Sequence, residues 1–173
     1  LAILYPKHIS TFLSLYFSQL VELMNDNNSC ERIRGHAISA LINLCRPVES
    51  DDEEGGHESS SSSNELLLTA EQLNILLSVL CHTLQTTSIN LQPVCLLLLG
   101  CIVGSVKEKF APYYSSFMPG IKSIMIEAIA PHLSVLRGKA MECVGIIGEC
   151  VGNEIFAADA LEVMEILLRA IVS

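Results

Sequence analysis

The sequence predicts an all-α fold built as a stack of helix pairs, and three observations carry that prediction. Bulky apolar residues recur at the helical 3.6-residue period along most of the 173 residues. Strand alternation and hairpin-turn signals are absent. Two stretches also repeat at fixed offsets: RGHAISALINL (34–44) resembles RGKAMECVGII (137–147) 103 residues later, and FAPYYSSFMPGI (110–121) resembles FAADALEVMEIL (156–167) 46 residues later. Removing about 20 residues of polar insert from the longer offset leaves two units of roughly 40, the period of two-helix HEAT and armadillo repeats. The predicted architecture is an α-α superhelix, a HEAT-repeat solenoid of about three and a half helix pairs in a single domain over residues 1–173.

Helices are expected near 8–25, 30–45, 70–86, 90–105, 111–129, 133–151 and 156–172. Asn27-Asn28-Ser29 closes the first and Gly152-Asn153 separates the last two. In the second, Ile33, Ala37, Ala40, Leu41 and Leu44 form the expected buried stripe, and Arg32, His36, Ser39 and Asn43 fall opposite it. The third opens on Thr69-Ala70-Glu71-Gln72, a capping box. The fourth carries VCLLLLGCIVGSV (94–106) and has almost no polar face, so it is expected to be buried on several sides. That run is also shorter than the roughly 20 residues that cross a bilayer. The fifth holds two prolines: Pro112 is expected in its first turn, where proline is tolerated, and Pro119 is expected to bend it farther on. In the sixth, Gly145, Gly148 and Gly152 read as points of close helix packing rather than a phosphate loop.

The net charge of −9 argues against a nucleic-acid binder and permits a basic protein partner. Much of it is local, because RPVESDDEEGGHESSSSSNE (46–65) is acidic, serine-rich and too polar to offset its ordering entropy. That stretch is expected to be a mobile loop between the first two pairs. Cysteines 30, 45, 81, 95, 101, 143 and 150 have neither C-x-x-C nor zinc spacing, and read as reduced, small apolar residues. The chain starts at Leu1 with no signal-peptide pattern, which suggests a segment of something longer. No G-x-S-x-G, Walker loop, H-E-x-x-H or G-x-G-x-x-G occurs, so no catalytic residue, metal ligand or cofactor is assigned.

KEKFAPYYSSFMPGIKSI (107–124), followed by LRGKAMECVGIIGECVGNEIFAADALEVMEILL (136–168), resembles the importin-β (karyopherin-β) superfamily, most of all its importin-five or karyopherin-beta-three branch. The earlier residues fit more loosely, and the acidic insert departs from the pattern. The resemblance implies a nuclear import receptor that shuttles between cytoplasm and nucleus. It implies basic cargo on the concave face, release by Ran-GTP, and phenylalanine-glycine nucleoporins held between outer helices. Second helices of such pairs line the concave side, which makes Arg32, His36, Ser39 and Asn43 candidates for cargo contact. At the 103-residue offset their equivalents are Val135, Lys139, Glu142 and Ile146, with Glu149 nearby. First helices offer Phe12, Tyr16 and Phe17, and the candidate outer groove of Tyr113, Tyr114, Phe117 and Met118. The rival readings are a HEAT scaffold of another class, such as a phosphatase subunit, and an enzyme whose site is built across helices.

Overall fold

A computed structural model describes residues 6–45 and 68–172. Its α-helices are α1 (Pro6–Asn25), α2 (Glu31–Cys45), α3 (Ala70–Thr86), α4 (Gln92–Val106), α5 (Tyr114–Glu127), α6 (Ser134–Val151) and α7 (Asn153–Val172). Short 3₁₀ segments, Lys107–Tyr113 and Pro131–Leu133, precede α5 and α6, and no strand occurs among the described residues. The acidic stretch 46–65, expected as a mobile loop, lies outside the described residues.

The helices form three antiparallel-type pairs, α1–α2, α3–α4 and α5–α6, with α7 as the first helix of a fourth. The two layers differ in density. Second helices pack closely in sequence, α2 on α4 and α4 on α6, whereas first helices touch their neighbours sparingly. Rods that converge on one side of a stack and splay on the other give a curved stack, so α2, α4 and α6 form its inner layer. The outer layer is α1, α3, α5 and α7.

Local chemistry explains the element ends. Thr69 accepts from the Gln72 amide at 3.2 Å, and the Gln72 side chain accepts from the Thr69 amide at 2.9 Å, completing the box that opens α3. Between α1 and α2, Asp26 accepts from the Asn28 amide at 2.9 Å and the Ser29 hydroxyl at 2.7 Å. These bonds, Ser29 first, hold its carboxyl below the usual carboxylate range.

The repeated R-G motif has one job in both copies. Arg34 is 7% exposed, and its Nε donates to the Met24 carbonyl at 3.0 Å, in the last turn of α1. Arg137 does the same for α5, donating from Nη1 to the carbonyls of Ala128 and Ile129 at 3.2 and 3.0 Å. Each arginine satisfies carbonyls that the end of the preceding helix leaves without partners.

α4 is the centre of the core, with Leu98, Leu99, Ile102 and Val103 fully buried and its neighbours on both sides. The all-round apolar face predicted it. Ser105, its one hydroxyl, lies 2.7 Å from the Cys45 carbonyl at the end of α2 and 2.9 Å from that of Cys101. All seven thiols are free. Burial pushes those of Cys45, Cys95 and Cys143 up to about 12, so they stay protonated and pack as small apolar groups.

Several expectations are corrected. Pro112 is not in the first turn of α5. It lies in the 3₁₀ segment that stands in place of that turn, in which Phe110 is fully buried with the Tyr113 and Phe117 rings beside it. Pro119 does lie inside α5, which continues through it. The buried stripe of α2 is Arg34, Ala37, Ile38, Leu41, Ile42 and Cys45, while Ile33 is exposed. Gly148 packs closely, its missing Cβ only 3.2 Å from the Phe156 ring, but Gly145 and Gly152 face open space, and Gly152 is instead required by its φ of 80°. Among the first-helix aromatics Phe17 is buried and Tyr16 is half exposed. The side chain of Phe12 lies outside the described ones.

Lys107 ends α4 at φ 50°, ψ −125°, a conformation that favours glycine. Such strain costs about 1–3 kcal/mol, and glycine's extra chain entropy returns about 0.5–1. Lys107→Gly is therefore expected to raise the melting temperature by about 2–4 °C, a shift that corresponds to roughly 1 kcal/mol in a chain of this size. Differential scanning calorimetry checks it, and a lower melting temperature would remove the strain argument.

Candidate functional site

Two surfaces follow from the two layers. On the inner layer, Arg32, His36, Ser39 and Asn43 are all exposed along one face of α2, as the spacing predicts. On α6, Lys139 is partly buried, and Glu142 and Glu149 are exposed. Lys139 Nζ donates to Glu142 at 2.7 Å, one turn along the same helix. The α2 and α6 groups share a layer but are separated by α4, so they do not converge on a single point.

Between α4 and α6 the inner face opens an apolar slot of about 140 Å³, lined by Leu96, Leu97, Gly100, Cys101, Cys143 and Ile146, with Lys139 and Glu142 beside it. Gly100 makes the room: a Cβ there would stand 3.3 Å from Ile146 Cδ1. The slot has space for one aliphatic side chain, and the neighbouring carboxylate suits a cation next to it. Its α4 half was missed because Gly100 and Cys101 sit inside an apolar run that reads as buried throughout. Two small residues in a row of leucines were the available signal.

On the outer layer, a groove of about 380 Å³ runs between α3 and α5. Tyr113 and Phe117 line it, together with Asn74, Leu77, Ser78, Cys81, His82, Gln85 and Ser116. The Tyr113 hydroxyl donates to Asn74, tying α3 to the 3₁₀ segment that leads into α5, and Cys81 Sγ lies 3.5 Å from the Ser116 carbonyl, tying α3 to α5 itself. Two of the four expected groove residues are elsewhere. Met118 is buried in the core, and Tyr114 turns to the other side of α5, where it is covered and donates to Asp159 of α7 at 2.6 Å. Helical geometry separates the pair: consecutive residues of a helix point about 100–120° apart, so Tyr113, last of the 3₁₀ segment, and Tyr114, first of α5, face different neighbours.

Asp159 also accepts from Lys122 Nζ at 2.7 Å, and Lys122 donates to Glu162 as well. The lysine bond first, then the tyrosine bond, holds the Asp159 carboxyl below the ordinary range. Its bonds to Asp159 and then Glu162 hold Lys122 above its own. Burial, and then Asp159, raises Tyr114. A depressed Asp159 contributes fully above its ordinary 3.8 and loses that contribution as pH falls through the lower folded value. A raised Lys122 contributes fully below 10.5 and loses it as pH rises through the higher folded value. Asp159 and Lys122 are therefore both charged across the neutral range.

Among the described residues no three His, Cys, Asp or Glu side chains are grouped as a metal site, and no helix is long and apolar enough to cross a membrane.

No family model matches the chain. It is 31% identical over 137 residues to importin subunit beta-3 of Saccharomyces cerevisiae, which covers 79% of this chain and 11% of that protein. The crystal structure of Kap121p superposes with a TM-score of 0.72 at 26% identity, over 98% of this chain and 14% of Kap121p. Kap121p bound to Pho4p matches with a TM-score of 0.67 at 28% identity, over 88% of this chain and 13% of that one. This chain thus spans about a tenth of the length of its relatives. Those relatives are importins and karyopherins, which sets aside a HEAT scaffold of another class. The two-layer helix stack, the R-G repeat and these likenesses agree: the chain belongs to the importin-β superfamily, in the importin-5 branch that includes Kap121p.

Proposed function

We propose that this chain is a middle stretch of a nuclear import receptor and acts by binding, not catalysis. Its inner face takes a basic segment of a cargo protein. The observation that carries this reading is the likeness to Kap121p, a karyopherin solved bound to Pho4p, over 88% of this chain. The inner surface has suitable chemistry: an apolar slot beside Glu142, with Glu149 farther along α6. A lysine-bearing peptide would seat an aliphatic side chain in the slot and its ammonium group near Glu142, in place of Lys139.

The remaining parts of the reading belong to the whole receptor. Ran-GTP and cargo favour different curvatures of the superhelix, and their coupling is the difference between those preferences. The α3–α5 groove, with Tyr113 and Phe117 in its wall, takes a phenylalanine side chain of a nucleoporin repeat. The receptor shuttles between cytoplasm and nucleus through the pore. The exposed stripe Leu161, Met164 and Leu168 on α7 supports a stack that continues beyond this chain.

A fluorescein-labelled lysine-rich peptide titrated into this chain, read by anisotropy, tests the inner-face reading. Glu142→Lys with Glu149→Lys is expected to weaken binding at least about tenfold, equivalent to ~1.4 kcal/mol. Wild-type affinity should fall as salt is raised. Equal affinity for the double variant would move the peptide off α6.

A further inference from the structure

The outer layer holds its helices together differently at each joint. α3 meets α5 and the 3₁₀ segment before it through neutral groups, Cys81 with Ser116 and Asn74 with Tyr113, beside an open groove. α5 meets α7 through charge. Both ion pairs that join different helices among the described residues are here, Lys122 with Asp159 and Lys122 with Glu162. Asp159 uses both oxygens, one for Lys122 and one for the Tyr114 hydroxyl.

The connection behind this joint is minimal. A single residue, Gly152 at φ 80°, separates the end of α6 from the start of α7. Four residues on, the Phe156 ring rests on Gly148 of α6, where no Cβ obstructs it. α7 is therefore pinned near its origin to α6 by a glycine pivot and a ring on a flat seat. About one to two turns farther along, at Asp159 and Glu162, it is tied to α5 by the polar cluster.

We propose that Tyr114, Lys122, Asp159 and Glu162 form a latch that sets the curvature of the stack at the α5–α7 joint. Its release lets α7 swing about Gly152 while α6 stays packed on α4. Separating α4 from α6 would expose apolar surface, at about 25 cal/mol per Å². Parting the latch returns three charges and a hydroxyl to water, and that rehydration offsets much of the lost attraction. Val163 and Ile166 of α7 are themselves buried, so the latched arrangement is the populated one in the native chain, and a partner that prefers the open arrangement shifts the population toward it.

Pulsed electron–electron spin resonance tests the latch. The native thiols rule out cysteine labelling, so nitroxides are attached to ketone amino acids at exposed Ser115 on α5 and Glu165 on α7. A second pair of labels, at Ser39 on α2 and Gly145 on α6, reports on the inner layer. The native chain is expected to give one narrow distance for each pair. Asp159→Asn is expected to add a longer α5–α7 distance in at least a tenth of the molecules and leave the inner pair unchanged. Asp159→Leu combined with Lys122→Met, which replaces the charges with an apolar contact, is expected to restore the single distance. If Asp159→Asn does not fold, Lys122→Gln and Glu162→Gln carry the same test. An unchanged α5–α7 distance in a folded variant overturns the latch even if the melting temperature falls. Equal broadening of both pairs overturns it too, because it means general loosening.

Discussion

Phe110→Ala is expected to destabilise the chain by about 3–5 kcal/mol, the range for removing a fully buried phenylalanine side chain. The ring is 0% exposed, with the Phe117 ring centroid 5.7 Å away and that of Tyr113 at 6.1 Å. It occupies the 3₁₀ segment that joins α4 to α5 and packs on α6, so the cavity would open where two helix pairs meet. A seven-residue 3₁₀ run is longer than usual and depends on its packing. The variant should therefore lose both the buried ring and the order of that connection. Urea unfolding followed by circular dichroism measures the loss. Ile129→Ala, at a site 57% exposed, is the control and should stay within about 0.5 kcal/mol of the native chain. A loss below about 1 kcal/mol for Phe110→Ala would contradict its place in the core.

Arg34→Met is expected to cost about 1.5–3 kcal/mol, the range for a hydrogen bond that involves a charged group. Methionine keeps most of the aliphatic stem but leaves the Met24 carbonyl at the end of α1 without its donor. Arg34→Lys should not restore stability, since an ammonium on a flexible stem does not reproduce the planar guanidinium. Arg137→Met removes two bonds at a more exposed site and should cost less. The order of the two losses, measured in the same urea series, is the informative result. Equal, negligible losses would show that the repeated arginine is not a cap.

This arginine also shows what the sequence could and could not disclose. The R-G repeat was visible as a period and placed the helix pairs, but the arginine's role was not. A charged residue reads as solvent-facing, and that shifted the assigned stripe of α2 by one position, onto Ile33 and away from Ile38 and Ile42. α4 was legible because nothing polar interrupts it. The start of α5 was not, because proline in a first turn and proline in a 3₁₀ run look alike until the burial of Phe110 decides between them. Residue type gave no warning of the positive φ at Lys107. In the candidate site, the exposed face of α2 followed from spacing; the α6 residues came from the 103-residue offset, and of these Lys139 and Ile146 are partly buried. Tyr114 was misplaced because its cover comes from Asp159 of α7, 45 residues later, and Met118 because it belongs to the core. The slot needed two helices at once, so no single helical pattern contains it.

The central claim is that the inner layer, α2, α4 and α6, is the binding surface of the stack. A lysine-rich peptide carrying a benzophenone side chain, photo-crosslinked to this chain and mapped by mass spectrometry, tests it most directly. The expected result is adducts on the exposed residues of α2 and α6 and at the mouth of the α4–α6 slot, suppressed by excess unlabelled peptide. Competed adducts confined to α1, α3, α5 and α7 would contradict it.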